Sequence, residues 1–531
     1  MAWGCAQQIG PSGGPKDSTS PKIKESFPQN FSAGFKGNKI KLIFDEFVQL
    51  KDLQSKMIVS PPLNDFPQVK IKRKTVEFEF ADTLHPNTTY NFNFGDGIID
   101  NNEGNPLDSN LFVFSTGNNI DSLFLNGKIK NAFNLLPEKG VMVMLYDKFS
   151  DSLPYLEKPF YFTKSKDDGS FKIPFMKEGK YKLFALKGGN GNFIYDLADE
   201  HIGFLETPVW AGDSVEKEVC LFEENAAKQF LKRGYAEHFG KIVFVFNLPA
   251  EKAKAVPLSP ILNNDWFIEE WSEKKDSLIY WLNGTAAMDS IRVQVSVGNE
   301  ILDTVEIIIP PKEKPGTRGA RGKRFPEKLN LSSPSGSPQS FDLFSPLQLF
   351  AENPVKTFDK SKVLFLENKD TILINFEESP SPSRKLTLKN KFKEFTEYNL
   401  FVPPGAMEDI FGLKNDTFRL NFKTRKLEDY GNINLKFNFQ KNPEKNQCII
   451  QLLDEKESLV KESVFTSETM IVFQNVPVSQ YKLKMIFDKN LNSKWDSGNY
   501  LKGIQPEKVI YYPAKIDLKK KFDLELEWKI D

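Results

Sequence analysis

Histidine and cysteine are almost missing from this chain, with three of each in 531 residues. His85, His201 and His238 lie far apart, and none belongs to a metal-ligand pair. No Gly-x-Ser-x-Gly, no phosphate-binding glycine loop and no Cys-x-x-Cys occurs, which removes the usual signatures of a nucleophile elbow, a nucleotide cradle and a redox pair. Three cysteines cannot form a disulfide framework. Cys220 and Cys448 sit in strand-like runs, where a small buried hydrophobe is the default. No stretch of about 18 apolar residues exists, so no α-helical membrane span is expected. Charge of one sign is not in excess either: 71 basic residues face 71 acidic ones, and nothing favours a nucleic-acid partner. The adjacent carboxylates Asp45-Glu46 and Asp199-Glu200 would point to opposite faces of a strand, so they read as surface turns. The sequence predicts no catalytic set and no enzyme.

What is present is β-strand chemistry. Phenylalanine is frequent at 47, and 33 prolines and 32 glycines punctuate the chain. Short runs such as Lys39–Phe44, Val76–Phe80, Lys241–Phe246 and Ile291–Val295 place apolar side chains at period two, as sandwich strands do. The expected class is all-β, and the length suits about three to five domains.

The chain also repeats itself. Residues 90–117 match residues 398–425 without gaps at an offset of 308, pairing Tyr90 with Tyr398, Gly97 with Gly405, Gly104 with Gly412 and Thr116 with Thr424. The glycines are expected to supply turns with positive φ. Residues 181–196 match 481–496 at an offset of 300, pairing Tyr181 with Tyr481, Asn190 with Asn490, Asn192 with Asn492 and Asp196 with Asp496. The expected order is a tether over 1–21, sandwiches over 22–118, 119–222 and 223–311, and a basic Pro/Gly/Ser linker over 312–339. Repeats of the first two sandwiches follow over 340–427 and 428–531. Arg318, Arg321, Lys323 and Arg324 cluster in the linker and read as solvated charge.

Near the start, Cys5 follows Gly4 and precedes a Gly/Pro/Ser-rich run with nothing to pack, which reads as an acylation site on a flexible stalk. Only Met1–Gly4 precede it, so this reading expects a start further upstream or a signal already removed. The alternative is a cytosolic chain with an incidental cysteine.

Ile40–Val48, Ile58–Pro61, Leu84–Phe92 and Phe112–Gly117 together resemble the bacterial Ig-like domain family first described in surface-layer proteins. Cys5-Ala6, Gly13–Asp17 and the tail Asp488–Gly498 with Gln505-Pro506-Glu507 resemble the ends of Bacteroidota lipoproteins that carry this domain. Gly127–Ile129, Asp168–Ile173 and Glu178–Leu183 make modules 119–222 and 428–531 similar to transthyretin-like or carboxypeptidase-regulatory sandwiches. The resemblance implies a lipid-anchored outer-membrane protein, at the cell surface or facing the periplasm, with no chemistry of its own. It also implies O-glycosylation at Asp-Ser/Thr-apolar triplets such as those at Asp121 and Asp303, for which Asp-Ser and Asp-Thr turns are the other reading.

One constellation suggests a ligand. Asp488, Asn490, Asn492 and Asp496 occupy positions one, three, five and nine of a calcium-loop spacing, with Ser493 in place of the usual glycine and Asn499 in place of the closing glutamate. A weak Ca²⁺ site and an Asx-turn loop remain the two readings, and no other cofactor is expected. The expected function is a non-enzymatic envelope scaffold, a subunit of an outer-membrane complex such as a β-barrel assembly or secretion machine. Its partners would be an outer-membrane β-barrel or other envelope proteins. The alternative is a surface glycan-binding protein that stacks sugars on Trp266, Trp271 and Trp281.

Overall fold

The computed structural model describes residues 17–530, apart from 82, 109–110, 189–191, 198–199, 225–228, 259–265, 284–288, 312–326, 337, 339, 378–382, 440–446 and 467–469. Cys5 and the basic cluster of the linker therefore lie outside the described residues. The chain is all-β, as its alternation predicts: strands dominate, joined by loops and a few helical turns such as Leu53–Lys56 and Leu153–Leu156. It divides into two compact units. The first comprises Met1–Asn225, Ile486–Asp488 and Lys494–Ile510; the second comprises Ala226–Met485, Lys489–Ser493 and Tyr511–Asp531.

In the first unit, period-two patterning sets the register. Lys39–Phe44 buries Ile40, Leu42 and Phe44 and pairs antiparallel with Thr75–Glu79, placing Ile40 opposite Phe78 and Leu42 opposite Val76. The other face of the same pair is charged. Lys39 meets Glu79 at 3.0 Å and Lys41 meets Glu77 at 3.2 Å, so a one-residue slip would put charge into the core. A facing sheet of Ile58–Ser60, Thr89–Asn93 and Leu111–Ser115 closes the sandwich. Its Tyr90 and Phe92 rings both stack on Phe114, at 5.7 and 5.8 Å.

The next sandwich opens with Leu123–Asn131, which runs antiparallel to Ser170–Met176 and parallel to the module's own last strand, Lys217–Glu223. From Lys217–Glu223 the same eight-stranded sheet continues through His201–Phe204, Lys180–Lys187, Met142–Tyr146 and Tyr161–Lys164. The last module repeats this plan. Tyr430–Phe439 runs antiparallel to Met470–Pro477 and parallel to Leu524–Ile530, beside a layer of Leu459–Phe465, Gln447–Leu453, Gln480–Asp488 and Val509–Tyr511.

The first duplication is equally visible in hydrogen bonds. The Tyr90 hydroxyl accepts the His85 N–H at 2.8 Å, and the Tyr398 hydroxyl accepts the Lys393 N–H at 2.8 Å. Thr88 N–H donates to Thr116 Oγ1 at 3.0 Å, and Thr396 N–H donates to Thr424 Oγ1 at 2.9 Å. Gly104 and Gly412 take φ of 81° and 86°, and Gly405 takes 71°, as expected. Gly97 does not have a positive φ. It is glycine because a Cβ there would press within 2.8 Å of the Leu53 side chain.

Between the copies, Leu231–His238, Lys241–Phe246, Ser277–Leu282 and Phe267–Trp271 form one sheet, and Ala253–Pro257, Ser290–Val297 and Glu300–Ile308 form another. They enclose Phe244, Phe246, Tyr280, Val293 and Val295.

Candidate functional site

The calcium-spaced loop leaves the end of Gln480–Asp488. Asp488 is fully buried, Asp496 is half-buried, and Asn490 and Asn492 are exposed. Asp488 and Asp496 belong to the first unit and Asn490 and Asn492 to the second. Asn490 Oδ1 accepts the Asn492 N–H at 3.1 Å, and Leu491 and Ser493 sit at φ of 65° and 61°, the geometry of an Asx turn in left-handed backbone. Among the described residues, no three His, Cys, Asp or Glu side chains are grouped to hold a metal ion.

Sequence reasoning missed the carboxylates behind these loops. Glu507 is buried; its Oε2 accepts the Asp496 N–H at 3.1 Å, and its own N–H donates to the Asp496 carbonyl at 3.0 Å. In the first copy, Glu200 does the same work. Its Oε2 accepts the N–H groups of Asp196 and Leu197 at 2.9 and 3.1 Å. Glu200 is 1% exposed, which corrects its reading as a surface turn; Asp199 and Asn190 lie outside the described residues. The strand begins only at His201, so the alternation argument does not reach Glu200. Asp45 is exposed, as a surface turn requires.

The segment 494–510 packs into the second sandwich. Tyr500 is buried with its ring edge-on to Phe184 and Phe204, each at 5.1 Å. Its N–H donates to Glu224 Oε1, and Glu224 Oε2 accepts the Tyr195 hydroxyl at 2.9 Å. Trp495 meets Phe133 edge-on at 5.0 Å, and Gln505 Nε2 donates to the Phe204 carbonyl at 3.0 Å. No periodicity in this segment announces that role.

The three tryptophans suggested for sugar stacking form no open platform. Trp281 is 1% exposed; its Nε1 donates to Glu270 Oε2 at 2.7 Å. The Arg384 guanidinium covers its ring at 5.2 Å from the centroid and donates to Glu270 Oε1 at 3.0 Å. Trp266 is buried beside Phe267 and Tyr280, and Trp271 is half-buried, with Nε1 bonded to Glu269. Trp281 belongs to a joint in the second unit where Gly240 lies beneath the Phe411 ring, so closely that a Cβ would collide with it. His238 completes the joint, its ring 5.9 Å from Phe411 and 6.1 Å from Trp281. Burial, then the Lys241 charge, pushes the imidazole down to about 4. Cys448 is buried and Cys220 half-buried, with burial pushing the Cys220 thiol up.

An open groove of about 760 Å³ runs beside Ile23–Phe27, with Lys22, Asn30 and Asp108 among its walls. Ile23–Phe27 is an edge strand of its four-stranded sheet, paired among the described residues through Lys39–Phe44. Edge strands of this kind offer backbone groups to an added strand.

Residues 17–116 match the bacterial Ig-like domain. No curated protein matches the chain. Among solved structures, a surface-layer protein, rSbsC, is 12% identical over 94% of this chain and 68% of its own, with a TM-score of 0.17. The major pilin subunit of Bacillus cereus is 10% identical over 77% and 99%, with a TM-score of 0.14. The Bacillus anthracis TIE protein is 7% identical over 98% and 76%, with a TM-score of 0.16. Likeness at this level says nothing of function. No helix among the described residues is long and apolar enough to cross a membrane.

Proposed function

We propose that this chain is a non-enzymatic scaffold of the bacterial envelope, anchored through an acylated Cys5 to the outer membrane and holding a β-barrel or another envelope protein. The modules would follow the order read from the sequence, with the tether over 1–21 and the linker over 312–339. The observation that carries the scaffold reading is the way neighbouring sandwiches within each unit are joined by dedicated side chains. In the first unit, Thr89 Oγ1 donates to Asp121 Oδ2 at 2.9 Å and Phe162 N–H donates to Ser60 Oγ at 3.2 Å. In the second, the Arg384–Glu270–Trp281 cluster and the Gly240–Phe411 contact do the same. Fixed joints suit a protein that sets spacing between partners, and they use up the aromatic side chains a glycan platform would need. The edge of Ile23–Phe27, which follows the tether in sequence, would seat the partner by strand addition.

The test is a mild-detergent purification of the native full-length protein with mass spectrometry, paired with protease treatment of intact cells. A stoichiometric outer-membrane barrel in the eluate, with cleavage from outside, is the expected result. A protein that purifies alone and lacks an acyl chain on Cys5 would overturn the reading.

A further inference from the structure

We propose that one end of the repeated first sandwich, with the turn of the last module beside it, docks on an anionic phospholipid surface. The seat is Phe395 with Leu427 and Phe522, set among the cations of the same three segments. It lies wholly within the second unit and does not depend on an acyl chain at Cys5.

The two copies share a turn but not its chemistry. In the first copy the turn is Pro86-Asn87, with Asn87 at φ 49°; in the second it is Glu394-Phe395, with Phe395 at the same 49°. Left-handed backbone suits Asn and is costly for a bulky ring. Phe395 is also 56% exposed, so core packing does not offset that cost. Around it, the 308-residue offset replaces Ser115, Gly117 and Asn118 by Lys423, Arg425 and Lys426. The second copy has exchanged a neutral turn for an aromatic ring among cations.

These side chains are assembled. Lys423 Nζ stands 3.9 Å and Lys426 Nζ 4.7 Å from the centroid of the Phe395 ring. The Phe395 N–H donates to the Arg425 carbonyl at 3.2 Å, and Glu394 Oε2 accepts the Leu427 N–H at 2.7 Å, which joins the two loops. Lys521 and Lys426 both reach Glu428, at 3.2 and 3.4 Å, and Lys520 pairs with Asp429, which ties in the turn that precedes Phe522. Leu427 and Phe522 are 52% and 54% exposed. Glu397, Glu428 and Asp429 are each held by a lysine, whereas Lys391, Arg425 and Lys519 have no carboxylate partner among the described residues. The surface is therefore positive. Exposed apolar side chains interleaved with cations match an interface that has charge outside and hydrocarbon beneath. Lipid phosphates would take the ammonium groups, and the apolar side chains would reach the acyl boundary. An acidic protein would answer the charges but set the three apolar side chains against carboxylates.

The test uses the full-length chain carrying C5S, so that no acyl chain contributes. It measures co-sedimentation with vesicles of phosphatidylcholine and phosphatidylglycerol, or of phosphatidylcholine alone. Binding is expected with the mixed vesicles only, and it should weaken as salt rises. K426N and F395N install the residues of the first copy. K426N should weaken binding about fivefold, as for one surface cation, and F395N about tenfold or more. F395N should melt no lower than its parent, because Asn accepts the left-handed turn, so lost binding is not lost folding. K139N, which removes an exposed cation of the first unit, should bind as the parent does. Equal sedimentation with neutral and anionic vesicles overturns the proposal, as does binding that survives in the F395N/K426N double variant. No sedimentation with anionic vesicles also overturns it and turns the patch toward an acidic protein.

Discussion

Single side chains hold the turns of this protein, and two of them make its stability depend on pH in ways that can be measured. Asp100 is the clearer case. Burial works against its charge, yet the N–H groups of Glu103, Asn105, Gly104 and Asn102 outweigh it and hold the carboxyl at about 2, below its ordinary 3.8. A depressed carboxyl stabilises the fold above its unfolded value and stops doing so as pH falls through its folded one. D100N should therefore be less stable than the wild type at pH 6, with the gap closing between about pH 4 and 2. Urea midpoints across that range would show it, and a gap that stays constant would remove Asp100 from the account. In the second copy the same task falls to Asp409, which accepts the Phe411 and Leu413 N–H groups at 2.9 and 2.8 Å. His238 works in a higher window. The unfolded chain takes up a proton near 6.5, whereas the joint refuses it until about 4. Stability of the second unit should fall as pH drops through that interval. H238Q should flatten the fall in thermal melts at pH 7 and pH 4.5, and equal slopes for both proteins would refute the assignment.

At the scale of elements, the joints matter more than the strands. Gly240 under Phe411 is a packed contact with no room for a methyl. G240A should cost about 1–3 kcal/mol through overpacking. Combined with F411A, it should cost less than the two singly, because the ring it collides with is gone. Strict additivity in calorimetry would mean that the contact is not tight. The strands themselves were legible: the alternation of Ile40, Leu42 and Phe44 against Lys39 and Lys41 admits one register. The duplication was legible too, because Tyr90 and Tyr398 each anchor a local backbone N–H. The joints were not. Arg384 and Glu270 meet across 114 residues, and no period links them. Glu200 was missed for a subtler reason: it stands one residue before its strand, where side chains no longer alternate by face.

At the scale of the whole molecule, the first unit is not a contiguous piece of chain, since it includes 494–510. A fragment of residues 17–225 would lack Tyr500 and leave the rings of Phe184 and Phe204 without their cover. Such a fragment should bind a hydrophobic dye that the full-length protein does not, and added peptide 494–510 should suppress the signal. A fragment that stays dark would show that the segment is dispensable. The parallel pairing of Leu123–Asn131 with Lys217–Glu223 has a further consequence. The strand through which the chain enters this sandwich lies beside the strand through which it leaves, pointing the same way. Tension along the chain therefore loads the register from Gly127–Lys217 to Asn131–Leu221 in shear, so these bonds must give way together and cannot unzip one by one. The module is built as a clamp against stretching along the chain.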